Sequence, residues 1–304
     1  MMAKAFRILG IILGILTLMI SSLVAFAFIQ SEARLNKVYN KPNDALAIPT
    51  DVDVVASGKH IFQFRGCQSC HGDQLEGKVY LSDPAIGEVI TANLTSGEGG
   101  LGAQYSDQDW INAIRYGIRK DGRPLLFMPS TEFYTMSDGD LAAVIAYIKS
   151  VPAVDHTQNP SQLSLLGRVL MTFIKELTFI PTELVPVGET RPTAPAKEAN
   201  AAYGEYLTYS CKVCHGMGMS GGKIPGFPSD WPIAPNLTMG EGSRLPQMGY
   251  EGFANVLRTG MTADGHLISP KYMPWTSYKF MDETEMRATW EYLVSLPPTA
   301  SGAR

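Results

Sequence analysis

Two pentapeptides, Cys67-Gln68-Ser69-Cys70-His71 and Cys211-Lys212-Val213-Cys214-His215, contain every cysteine of the 304-residue chain. In this pattern two thiols separated by two residues can add to the two vinyl groups of a haem, and the histidine that follows supplies an imidazole to its iron. A chain that holds a haem in this way folds around it, so these ten residues constrain the architecture more than any average over the sequence. Two other uses of paired cysteines fit less well. Four thiolates around one zinc need no histidine directly after each pair, and a thioredoxin-like motif explains neither the histidine nor the duplication. With all four cysteines committed, none is left for a structural disulfide.

The pentapeptides sit at the centre of a longer repeat. Asn93-Leu94-Thr95 matches Asn236-Leu237-Thr238, Arg115 matches Arg258, Asp121-Gly122 matches Asp264-Gly265, and Met128-Pro129 matches Met273-Pro274, at offsets of 143 to 145 residues. Because the landmarks keep their spacing, each half reads as a complete small haem domain and not as half of a shared site. The chain divides accordingly into an anchor (1–30), a tether (31–51), a first domain (52–154), a linker with an amphipathic helix (155–200) and a second domain (201–304). Asn-Leu-Thr also fits an N-glycosylation acceptor, but its place in the repeat favours a loop feature. An apolar fraction of 45% with 18% charged residues allows two proper cores, and a net charge of −4 with scattered Lys and Arg argues against nucleic acid.

Residues Ile8 to Ile29 carry no charge. At 1.5 Å per residue they are long enough to cross a hydrocarbon core of about 30 Å. Ala25-Phe26-Ala27 resembles a cleavage site, yet the run exceeds a signal-peptide core, which favours a retained anchor. Lys4 and Arg7 flank one end and Arg34, Lys37 and Lys41 the other, so charge alone leaves the orientation open. Covalent haem of this kind is attached outside the bacterial cytoplasmic membrane, and the motif therefore implies that everything after the anchor lies on the periplasmic side.

Helical spacing of apolar residues predicts a helix from Val52 to Phe64 that delivers the chain into the first pentapeptide. Residues 72–104 are glycine-rich and aperiodic, and are expected to form a long loop wrapped on the cofactor. Ser106 opens a predicted helix through Trp110, Ile114 and Ile118 that ends at Asp121-Gly122, and Ser137 opens another, Leu141 to Ser150, stopped by Pro152. In the linker, Arg168, Lys175, Glu176 and Pro181 interrupt the apolar stretch Leu163 to Leu184, which makes a second crossing costly. An amphipathic helix is expected there, packed on the domains, on a partner subunit or on the membrane surface.

A haem held by His71 or His215 alone would leave one face of the iron open. Met128 and Met273 occupy the same place in each repeat, each followed by a proline that stiffens its loop, and are the expected sixth ligands. Met136 and Met281 also repeat, but each precedes a helix N-cap and faces an apolar fourth helical position (Leu141, Met286), the arrangement of a hydrophobic staple. His60, His156 and His266 have no repeat partner and read as surface or supporting histidines. Arg115 and Arg258 are candidates for haem propionates or, equally, solvent-facing charges. Pro84, Pro225 and Pro228 are candidates for the loop whose carbonyl accepts the proximal imidazole N–H.

With Tyr105-Ser106-Asp107-Gln108-Asp109-Trp110, Arg115-Tyr116-Gly117-Ile118 and Gly204-Glu205-Tyr206-Leu207, these motifs resemble tandem class I cytochrome c domains. They are similar in particular to the membrane-bound cytochrome c subunits of bacterial alcohol, aldehyde and gluconate dehydrogenase complexes. The resemblance covers nearly everything after the anchor. It implies a mainly α fold of two tandem class I cytochrome c domains behind an N-terminal transmembrane helix. Two covalent c-type haems would be attached at Cys67, Cys70, Cys211 and Cys214, with His71/Met128 and His215/Met273 on the irons. The implied role is electron transfer in a periplasmic respiratory chain, from a dehydrogenase or other membrane complex to quinone or a terminal oxidase. Those subunits typically carry three haem domains and a C-terminal attachment, whereas this chain has two repeats and an N-terminal apolar run. A dihaem peroxidase with one open iron is the alternative enzyme reading, which the duplicated Met-Pro disfavours.

Denatured protein is therefore expected to retain two covalent haems per chain, and the Cys67→Ala, Cys70→Ala double variant to retain one. A haemochrome assay against protein mass reads the count.

Overall fold

The computed structural model describes residues 2–174, 177, 179–188, 191, 193–227 and 230–303. It is mainly helical. After the long N-terminal helix α1 (Met2–Leu35) come α2 (Val52–Phe64), α3 (Cys67–His71), a hairpin of β1 (Val79–Asp83) and β2 (Gly87–Ile90), α4 (Asp107–Tyr116), α5 (Ser130–Phe133) and α6 (Asp138–Ser150). A short strand β3 (Gln162–Leu163) and α7 (Leu165–Phe173) precede α8 (Ala201–Leu207), α9 (Tyr209–His215), α10 (Leu245–Thr259, broken at Gly249), α11 (Trp275–Tyr278) and α12 (Glu283–Ser295).

The apolar stretch of α1 is largely exposed, with Ala27 buried, as a membrane span would be, and the helix ends at Leu35, five residues beyond the last residue expected of the anchor. The segment after it, expected to be a free tether, is a strap clamped on the first half. Tyr39 N–H donates to Gly122 O (2.9 Å), Gln108 Nε2 to Pro42 O (3.0 Å), and Asp44 accepts from Arg115 (2.8 Å) and Tyr116 (2.9 Å).

Helix α2 lies on α6 and α8 lies on α12, and both crossings depend on a glycine. A Cβ on Gly58 would stand 1.9 Å from Ala143 O, and one on Gly204 would stand 1.9 Å from Ala288 O. Only hydrogen lets the backbones approach so closely. Leu141, Ile145 and Met286 fill the space beneath, and Met136 and Met281 are buried at the starts of α6 and α12, as the staple requires.

The first helix of each half also reaches the N-terminus of the last helix of the other. Tyr206 on α8 accepts the N–H of Ser137 (2.9 Å) and donates to Asp140 at the start of α6, while His60 on α2 meets both Glu285 oxygens (2.8 Å) at the start of α12. The contact is thus self-complementary, the pattern that a two-fold relation produces.

Two expectations are corrected. Residues 72–104 are not all loop: Asp83 Oδ1 accepts the N–H groups of Ala85 (2.8 Å) and Ile86 (3.1 Å), which closes a tight turn and sets β1 antiparallel to β2, with β3 added to β2. Helix α4 ends at Gly117, in the left-handed region at φ 67°, and not at Asp121-Gly122, because that C-cap conformation stops the helix before Ile118. Lys175 and Glu176, which interrupt the linker's apolar stretch, lie outside the described residues.

Gly58→Ala and Gly204→Ala are each expected to destabilise their half by about 2 kcal/mol, since the added methyl meets a backbone carbonyl that cannot rotate away. Gly139→Ala, at a helical position whose Cβ would have 4.0 Å of clearance, should be neutral or stabilising in the same denaturant titration.

Candidate haem sites

Helix α2 carries the chain to Gly66, and the single turn α3 then places Cys67, Cys70 and His71 on the wall of a cavity of about 780 Å³. Met128, Trp110, Ile114, Leu94 and Tyr80 line the same cavity. His71 Nδ1 lies 3.0 Å from Ala92 O. A carbonyl can only accept, so Nδ1 carries the proton and Nε2 keeps the lone pair that an iron takes. Burial holds the His71 imidazole below its usual pKa despite that hydrogen bond, which keeps the ring neutral and ready to ligate.

The second half repeats the hydrogen bonds around the histidine. His215 Nδ1 lies 2.8 Å from Pro235 O. In the first half Gly77 N–H donates to His71 O (2.7 Å) and Leu94 N–H to Leu75 O (2.8 Å); in the second, Gly221 donates to His215 O (2.8 Å) and Leu237 to Met219 O (2.8 Å). Asn93 Oδ1 accepts from Thr95 N (2.9 Å) while its Nδ2 donates to Val154 O (2.7 Å), and Asn236 does the same with Thr238 N (2.8 Å) and Thr299 O (2.7 Å). Both amides are buried, and the Asn-Leu-Thr repeat is therefore a clamp that holds the accepting carbonyl in place.

The accepting carbonyls belong to Ala92 and Pro235, the residues directly before Asn-Leu-Thr, and not to the prolines expected. Pro84 lies in the β1–β2 turn, Pro225 in a turn after the second histidine, and Pro228 outside the described residues. The repeated Asn-Leu-Thr was the signal that could have located them. Arg115, a candidate propionate partner or solvent-facing charge, does not line the cavity. It is fully buried away from the cavity wall, with Nη1 on Asp44 and Nη2 on Asp138, both at 2.8 Å, so its charge is already neutralised. Arg258 is half exposed and pairs with Glu283 (2.6 Å). His60 bonds Glu285, His156 Nδ1 meets Glu76 O (2.9 Å), and His266 sits in an exposed turn.

Met128 follows Phe127, held at φ 58°, a strained conformation for a residue with a side chain, whose N–H donates to Phe179 O (3.0 Å). Pro129 then caps α5, and Pro274 caps α11 in the same way after Met273. Both methionines are half-buried against the core on which Cys67 and Cys211 pack.

Burial, joined by the neighbouring Cys70 sulfur, pushes the Cys67 thiol up to about 12, and burial with the nearby Glu132 carboxylate pushes Cys211 up to about 11. A thioredoxin-like pair would need a thiolate stabilised near neutrality, the opposite trend. Among the described residues the four sulfurs do not gather at one point; the group whose ligand atoms lie within 4.8 Å of one another is His60, Asp282 and Glu285, where Lys197 already bonds both carboxylates. The donor set of the cavity, two neutral thiols and an imidazole with a fixed tautomer beside a thioether in an apolar surround, fits a covalently held haem.

Residues 55–152 match the sequence model of the family Cytochrome c, and this region is a cytochrome c domain, which implies covalent haem c. The chain is also similar to the cytochrome c subunit of the quinone alcohol dehydrogenase of Gluconobacter oxydans (strain 621H), 26% identical over 284 residues, covering 85% of this chain and 58% of that protein. It is 24% identical over 275 residues to the fructose dehydrogenase cytochrome subunit of Gluconobacter japonicus, covering 82% of this chain and 54% of that one. A shorter stretch of 114 residues, 36% of this chain and 24% of the relative, is 31% identical to the gluconate 2-dehydrogenase cytochrome c subunit of Pantoea cypripedii. The chain thus spans a little over half the length of the two longer matches.

Replacing Met128 or Met273 with Ala is expected to remove about half of the weak red absorption band that an Fe(III)–thioether bond gives, and to lower the potential of one haem. Met136→Ala and Met281→Ala should leave the band in place and reduce stability instead. The reverse pattern in the optical spectra would move the sixth ligand to the staple methionines.

Proposed function

We propose that the chain is a membrane-anchored dihaem electron carrier, with one c-type haem in each half. In this reading Cys67, Cys70, His71 and Met128 hold the first haem and Cys211, Cys214, His215 and Met273 the second. Electrons enter from a dehydrogenase or another redox complex of the membrane and leave to quinone or a terminal oxidase. Both halves stand on the periplasmic side of the cytoplasmic membrane, where the haem-attachment chemistry would take place.

The observation that carries this reading is the repeated set of bonds around His71 and His215: carbonyl to imidazole, Asn-Leu-Thr clamp, and Met-Pro at the mouth of a short helix. A haem in each half supplies one-electron chemistry, and the residues supply its orientation, its dry surround and its axial donors. The two pentapeptides adjoin: Arg65, two residues before Cys67, donates from Nη2 to Tyr206 O (3.4 Å) on the helix that leads into the second. Dehydrogenase cytochrome subunits among the relatives support a dehydrogenase as donor. Quinone as acceptor is supported by the first cavity, which extends from Cys67 and His71 to Glu32, Leu35 and Asn36 at the end of α1, within reach of a lipid-soluble carrier. His/Met ligation favours a relatively high potential, which suits a route to an oxidase as well.

A tagged chain purified from detergent-solubilised membranes is expected to bring with it a dehydrogenase whose substrate reduces both haems. Rapid carbon monoxide binding to the reduced chain together with peroxide turnover would overturn this reading in favour of a peroxidase with an open iron.

A further inference from the structure

Helix α7 packs on α1 and runs antiparallel to it. Arg168 bonds Ser31 (3.0 Å) and Glu32 (2.7 Å), and one turn later Thr172 Oγ1 bonds Ala27 O (3.3 Å), while the ring of Phe173 lies 6.1 Å from that of Phe26. The apolar run of α1 ends at Ile29, and the first charge after it is Glu32. At 1.5 Å per residue, Phe26 lies about 4.5 Å inside that boundary, so the C-terminal end of α7 descends past the last apolar residue of the span.

The faces of α7 divide sharply. Gly167 and Met171 are buried, with Gly167 so close to the β1–β2 turn that a Cβ would stand 2.3 Å from Ile86 O. Leu165, Leu166 and Phe173 keep 52%, 50% and 49% of their surface exposed, and Ile174 continues the exposed stripe. The helix has one charge, Arg168, and it is turned inward onto Glu32 and the Phe28 ring. Its outer face is therefore apolar, uncharged and continuous with the exposed apolar surface of α1 at Phe26, Phe28 and Ile29.

We propose that α7 is a second membrane contact, an interfacial helix whose Leu166–Phe173 face enters the lipid beside the end of α1. The occupant of this face is the bilayer, because its Phe173 end lies beside Phe26 at the depth of the span, its Leu166 end lies near the level of Glu32 just outside it, and both adjoin the exposed apolar surface of α1. A single helical anchor would let the first half swivel; a second contact on one side of it fixes which side faces the lipid. The cavity wall formed by Glu32, Leu35, Asn36 and Arg168 is then held at the headgroup level. The proposal rests on α1 crossing the bilayer.

The test uses the full-length, haem-loaded chain in phosphatidylcholine–phosphatidylglycerol vesicles, with a nitroxide on Leu166→Cys or Phe173→Cys, on Leu16→Cys within α1, and on Val52→Cys as an aqueous reference. These positions are exposed, covalent haem content verifies folding of each variant, and the wild-type chain, its own thiols tied to haem, is the labelling blank. Labels at 166 and 173 are expected to collide severalfold less with a water-soluble nickel chelate, and severalfold more with oxygen, than the label at 52. A lipid-buried label at 16 with water-exposed labels at 166 and 173 would overturn the seat while leaving the span intact. Labels at 166 and 173 shielded from both collision partners would overturn it in favour of a protein cover, and a water-exposed label at 16 would overturn seat and span together.

Discussion

The bond from an imidazole Nδ1–H to a backbone carbonyl, His71 to Ala92 and His215 to Pro235, is the interaction on which the rest of each half depends. It fixes the tautomer, so the other nitrogen is available to a metal, and it fixes the ring plane relative to the chain. A carbonyl in a loop cannot do this unless the loop is held. The Asn side chain that follows closes its own turn through Thr95 or Thr238 and ties that turn to the segment after the last helix of its half, at Val154 or Thr299. The pentapeptide histidine is thereby connected by hydrogen bonds to the segment after α6 or α12, and those helices are in turn set by the glycine crossings under α2 and α8.

Close crossing of the first and last helices has a second consequence. It brings α2 and α8 near enough to the starts of α12 and α6 for His60 and Tyr206 to reach the capping residues of the opposite half. Those N-termini carry uncompensated N–H groups and favour acceptors and acidic side chains. Glu285 meets this need twice, as part of the capping box and as partner of His60 and Lys197, which is why a carboxylate that is nearly sealed from solvent is tolerated there. The junction between the halves is thus polar at its edges and built from groups that each half already needed for its own helices.

Much of this was legible from residue order. The pentapeptides, the repeat, the helix Val52–Phe64 with both its ends, and the staple pairs at Met136 and Met281 follow from local rules, because each is decided by residues within about two turns of one another. What sequence reasoning missed was decided at long range. Arg115 reads like an anion partner for a cofactor until the strap brings Asp44 from 71 residues upstream onto Nη1. The accepting carbonyl of Ala92 has no side-chain signature at all, and only the clamp that follows it is visible. The hairpin at 79–90 lacks clean alternation, and its turn, set by a single Asp, packs on Gly167 of α7, an element contributed by the linker.

The same long-range elements make the two halves unequal. The strap, the hairpin and α7 all cover the first half, and Arg115 is completely buried between the strap residue Asp44 and Asp138, whereas its counterpart Arg258 stays at the surface with Glu283. Around the second pentapeptide Val213, Met217, Ile233 and Leu267 remain exposed. Solvent exposure and local charge are among the properties by which a protein sets the potential of a bound redox group, and in these the surroundings of His71 and His215 differ although their hydrogen-bond frames match. The first half is covered by the strap and α7, and the second half keeps an exposed apolar rim.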